Sequence, residues 1–250
     1  MRINSASDDP SGLAIADKLR TQASSIKQGI ANANSGISLI QIADKAMGEQ
    51  SRILDIVKSK LIQVATSTTS DEGKEAIRKD INKLLTQLDN IASQTNYNGT
   101  NLLQSDSDDN SSTAVLTFQV GEKSNNTVKT QGGVQSNTLG LDIENLKNLA
   151  ADSLDSSTAG TWMGKIDDAL NSLNIFRSDF GSTQNQLESS VRYMSTMHTN
   201  LKSSESVIRD VDYAQEFTVL NRMILFMNAG MYAMSQANKV QENMLRLLFK

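Results

Sequence analysis

Residues 19–61 read LRTQASSIKQGIANANSGISLIQIADKAMGEQSRILDIVKSKL. Leu19, Ile26, Ala33, Ile40, Met47, Leu54 and Leu61 recur there at every seventh position, and Ala23, Ile30, Ile37, Ala43, Val57 and Val64 fill the intervening places of the same stripe. A seven-residue repeat returns to one helix face every two turns, so the stretch predicts one long helix with a coiled-coil-like seam. Asp8, Asp9 and Pro10 start it: the carboxylates can take unpaired amides of the first turn, and the proline presets the helical φ. Pro10 is the only proline, so nothing forces a break before about Ser67, and a helix over residues 11–67 would reach roughly 85 Å at 1.5 Å per residue.

Thr69, Ser70, Asp71 and Glu72 match a capping box. The face behind it, Ile77, Ile81, Leu84, Leu88 and Ile91, predicts a second helix, folded back antiparallel on the first because residues 67–72 form only a short break. Between residues 96 and 160 the chain turns to Ser, Asn, Asp, Thr and Gly. There Leu116, Phe118 and Val120 alternate with polar residues, and Gly121 to Asn126 separate them from Thr127 to Thr130, which predicts a β-hairpin. Asp142 to Ala151 read as a short helix. The seven-residue lattice then returns at Ile166, Leu173, Phe180, Leu187, Met194, Leu201 and Ile208, predicting a third long helix. From Asp212 a last helix carries Phe217, Leu220, Ile224, Met227, Met231, Met234, Met244 and Leu248 over a wider arc than one seam needs. The fold class is therefore mainly α: an elongated antiparallel helical rod, coiled-coil-like, with a small β-hairpin segment. Residues 1–103 with 161–211 form a discontinuous helical rod domain, 104–160 its hairpin-containing outer part, and 212–250 a separate C-terminal helix.

Composition narrows the chemistry. The 250 residues carry a net charge of -4, no cysteine and one histidine, His198. Thiol nucleophiles, disulfides and multi-histidine metal clusters are excluded, and no concentrated basic face is present to neutralise nucleic-acid phosphates. Asn221, Arg222 and Asn228 interrupt the most apolar stretch, Val219 to Met234, which falls short of a membrane span. Met1 to Pro10 has no apolar run of the secretory-signal kind. His198 reads as a surface or seam histidine. Asp106, Asp108, Asp109 and Asn110 lack the glycine and terminal glutamate of a calcium loop, and Gly132, Gly133 and Gly140 lack the context of a phosphate loop. No enzyme activity, cofactor or metal is expected. The last helix points to binding of other chains, because burying each Leu or Met gains about 1.5–3 kcal/mol. Its occupants would be copies of this chain, or a chaperone that covers it before assembly.

Five segments bear a family resemblance: RINSASDDPSGLAIA at 2–16, QTNYNG at 94–99, FGSTQNQL at 180–187, IRDVDY at 208–213 and MSQAN at 234–238. In this order they resemble the signatures of the bacterial flagellins. The resemblance implies a structural subunit of the helical flagellar filament, located outside the cell at the flagellum. Export through the flagellar type III apparatus, a chaperone on the C-terminal helix, and contacts with cap and hook-junction proteins are implied with it. In the family an N-terminal and a C-terminal helix pair to line the filament core. By that resemblance 212–250 is the filament-core helix, and its N-terminal partner would precede Arg2, outside this chain. The large outer domains of long flagellins would fall within 104–160, so the resemblance implies a short flagellin. Met223 to Met227, MILFM, is bulkier than the family's usual residues there, and such bulk costs about 1–3 kcal/mol unless neighbours adapt.

The flagellin-sensing Toll-like receptor reads an arginine, a leucine and a glutamate in many family members. Here Ile56, Lys60 and Asp80 occupy those positions by alignment, so weak recognition is expected: Ile56 removes a bidentate donor and Lys60 places charge at an apolar contact. Alternatives within the same organelle are a hook–filament junction adaptor, or a truncated copy unable to assemble alone. A soluble effector on a helical scaffold is the alternative from another class.

Overall fold

The computed structural model describes residues 1–248 except 105, 107 and 152, with the side chains of 246–248 outside that description. Its elements are α1 (Pro10–Ala65), α2 (Asp71–Gln94), β1 (Asn96–Tyr97), β2 (Thr100–Asn101), β3 (Thr117–Gln119), β4 (Thr127–Lys129), α3 (Glu144–Lys147), α4 (Ser156–Arg209) and α5 (Tyr213–Leu248). They divide into two compact units, one of residues 1–21 with 200–250 and one of residues 22–199.

The larger unit is organised by the seven-residue seam. Ile26, Ala33, Ile40, Met47, Leu54 and Leu61 on α1 are buried, as are Ile166, Leu173, Phe180, Leu187 and Met194 on α4. Polar pairs across the helices fix their directions. Lys58 meets Asp167 at 2.5 Å and Asp44 meets Arg177 at 2.8 Å, so numbers rise on one helix as they fall on the other, and α4 is antiparallel to α1. Likewise Lys60 pairs with Asp80, and Gln50 donates to the Leu88 carbonyl, which makes α2 antiparallel to α1. Such pairs set register; the buried aliphatic area supplies most of the stabilisation.

Helix α2 differs from the sequence reading at two points. Its buried face is Ile77, Ile81, Leu85, Leu88 and Ala92, while Leu84 and Ile91 are half-buried at the rim. The cap also moves by one residue. Ser70 is the N-cap, its hydroxyl accepting from the Gly73 amide at 3.2 Å, so a glycine stands where a capping box needs a carboxylate and the reciprocal bond is not made.

The segment beyond α2 is built from turns. Asn98 and Gly99, at φ 50° and 79°, close the β1–β2 hairpin, and both residues tolerate this left-handed region that two-residue hairpin turns require. The second hairpin pairs Thr117 with Lys129, Phe118 with Val128 and Gln119 with Thr127. It sits against α1 at Gly36, where a Cβ would lie 2.7 Å from the Phe118 ring, and Asn32 donates to the Gln119 carbonyl at 3.2 Å. The short helix is only Glu144–Lys147, less than the 142–151 expected. This region is anchored by the buried Asp89 carboxylate. It accepts from the Thr138 amide at 2.7 Å, the Thr138 hydroxyl at 3.0 Å and the Lys147 ammonium at 2.7 Å. A buried carboxylate is tolerable only when so fully paired.

In the smaller unit Asp9 caps α1 by accepting from the Ser11 and Gly12 amides, and Asp212 caps α5 by accepting from those of Ala214 and Gln215. The Arg2 amide donates to the Arg209 carbonyl at 2.6 Å, tying the N-terminal segment to the end of α4.

One ion pair gives the fold an acid signature. Arg78 donates two hydrogen bonds of 2.7 Å to Glu75, and this fork holds the carboxyl down to about 2 from an ordinary value of 4.5. A carboxyl whose folded-state pKa is depressed stabilises the fold fully above its unfolded value, and the contribution is lost as pH falls through the folded one. Denaturant titrations should show stability declining from pH 4.5 toward about 2, with a measurably flatter decline for Glu75→Gln; an unchanged slope would remove this pair from the account.

Candidate self-association surface

Helix α5 has 36 residues, and most of its described large apolar side chains are exposed. Phe217 is exposed, as are Leu220, Ile224, Met227, Met231, Met234 and Met244; the Leu248 side chain lies outside the described residues. Met223, Leu225, Phe226, Tyr232, Val240 and Leu245 are exposed as well and extend the apolar surface around the helix. The signal for Met223, Leu225 and Phe226 was the unbroken apolar run from 223 to 227, which one face alone does not require. An apolar helix of this kind is ordinarily buried on more than one side.

Of the seam residues named from sequence, Ile26, Ile40, Leu54 and Leu61 on α1 and Ile166, Leu173, Phe180 and Leu187 on α4 are buried in the larger unit. Leu19 and Leu201, both in the smaller unit, are half-buried. The three positions named from sequence for receptor contact, Ile56, Lys60 and Asp80, belong to the larger unit. Ile56 is exposed, while Lys60 donates to Asp80 at 2.9 Å. That hydrogen bond holds the Asp80 carboxyl below the usual carboxylate range. Lys60 and Asp80 therefore largely satisfy each other, a pairing that the residues' separation in sequence concealed.

Elsewhere the chemistry is sparse. His198 is half-buried on α4, and among the described residues no three His, Asp or Glu side chains gather as metal ligands. Among those same residues no helix is long and apolar enough to cross a membrane.

Comparison with known proteins agrees with this architecture at both ends. The bacterial flagellin N-terminal helical region matches residues 1–108, and the bacterial flagellin C-terminal helical region matches residues 163–248. The flagellar filament 33 kDa core protein of Treponema phagedenis is 32% identical, the alignment covering 99% of this chain and 88% of that protein. Flagellin of Bacillus subtilis is 30% identical, with 99% of this chain and 89% of that protein covered. The crystal structure of Bacillus cereus flagellin aligns at a TM-score of 0.55 and 26% identity, over 70% of this chain and 94% of that one. With both helical regions matched and filament proteins aligned along nearly its whole length, the chain belongs to the bacterial flagellins.

Proposed function

We propose that this chain is a structural subunit of the flagellar filament, polymerising by helix–helix packing to support motility. The observation that carries the reading is the exposed apolar surface of α5. Each Leu, Ile, Met or Phe removed from water there contributes about 1.5–3 kcal/mol, and repetition along the helix can bind many copies without any catalytic chemistry. In this reading residues 212–250 form the filament-core helix, 1–103 with 161–211 the rod domain, and 104–160 its outer part. Export proceeds through the flagellar type III apparatus. A chaperone covers α5 until assembly, and cap and hook-junction proteins receive the subunit at the filament end. Truncation before Asp212 should abolish filaments while leaving the helical content of residues 22–199 intact by circular dichroism. Filaments of normal length from the truncated chain would overturn the reading.

Recognition by the flagellin-sensing receptor is weak in the same proposal. Ile56 offers no guanidinium fork, and Lys60 is engaged by Asp80. Ile56→Arg with Lys60→Leu should raise signalling potency about tenfold, the scale of one restored hot-spot contact. Unchanged potency in a reporter-cell assay would count against this part.

A further inference from the structure

Methionine is distributed unevenly along the chain. Five of its ten residues, Met223, Met227, Met231, Met234 and Met244, lie in α5. The first four follow spacings of four, four and three, which place them within an arc of about 80° on one helix face. Their exposures are 63%, 60%, 52% and 66%. Met47 and Met194, in the larger unit's core, are 0% and 4% exposed. The chain has no cysteine, so no thiol competes with these thioethers for an oxidant.

We propose that Met223, Met227, Met231 and Met234 form an oxidation site through which peroxide blocks self-association of the free subunit. The proposal rests on the filament reading, with other copies of this chain as the occupants of α5. Each thioether sulfur attacks one oxygen of hydrogen peroxide: the S–O bond forms as the O–O bond breaks. The proton on the transferred oxygen passes to the departing hydroxide, giving sulfoxide and water. Sulfur is oxidised and peroxide reduced, and nothing else is consumed. The product is a flexible apolar side chain converted to a polar one. Four such dipoles on one face must then be desolvated whenever a neighbouring chain packs there, and they find no designed partners in an apolar interface. Assembly removes the same sulfurs from solvent, so the site is open in the dispersed subunit and closed in the polymer. Sulfoxide formation is reversible by a pair of thiol-dependent sulfoxide reductases, one for each epimer at sulfur, which makes the block recoverable.

The experiment uses subunits released from sheared filaments, treated with hydrogen peroxide and returned to filament fragments. Peptide mass spectrometry locates the added oxygens, and light scattering follows regrowth. Oxygen should appear at the four α5 positions before Met47 and Met194, and the free subunit concentration needed for regrowth should rise about tenfold, the consequence of roughly 1.4 kcal/mol lost per joining subunit. Treatment with both sulfoxide reductases, one for each epimer, should restore growth, and the variant M223L/M227L/M231L/M234L/M244L, which also removes the exposed Met244, should regrow equally with and without peroxide. Undiminished growth of oxidised wild-type subunits overturns the proposal, as does a block that reductase treatment fails to reverse or a variant as sensitive as wild type. Untreated subunits that never regrow overturn the filament reading and this proposal with it.

Discussion

The seven-residue spacing of aliphatic side chains on α1 and α4 is the constraint on which the rest depends. It keeps one face of each helix toward the other over many turns, so the core of residues 22–199 is a long seam of Ile, Leu, Ala and Met with a single large aromatic, Phe180. Ion pairs at Asp44, Lys58 and Lys60 lie along its edges and select the antiparallel register. The outer hairpin is possible only because the α1 surface is cut away at Gly36 to receive Phe118. Seam and notch thus belong to the same helix and the same periodicity.

Helix α5 obeys a different rule. Its Asp212 N-cap and its length favour a helix, yet most of its described large apolar residues are exposed. A helix that gains little from tertiary burial keeps only its local propensity, which is marginal for most sequences in water. The side chains that leave it unsatisfied in isolation are those that a filament can use. On the proposed reading, stability of the subunit and stability of the assembly are placed on separate helices.

What could be read from sequence follows from what the period encodes. The long helices and the β3–β4 hairpin were legible because their patterns span many residues or carry clear alternation. On α2 the adjacent Leu84 and Leu85 each fit an apolar face, and the choice fell to Leu85 through contacts that period alone does not contain. The β1–β2 strands are two residues each, too short for alternation, though the Asn98–Gly99 pair was a turn signal in plain view. Least visible was the polar interior. Gln50 donates to the Leu88 and Ser136 carbonyls, and Asp89 gathers Thr138 and Lys147. Those partners lie far away in sequence. On α5, composition exposed the surplus apolar arc but could not show that the arc stays open within the chain.

The most direct test of this division is amide hydrogen exchange, measured on dispersed subunits and on filaments. In dispersed subunits residues 215–245 should exchange rapidly while 26–61 stay protected, and in filaments both should be protected. Strong protection of 215–245 in the dispersed subunit, equal to that of the seam, would contradict the claim that α5 takes its packing from other copies.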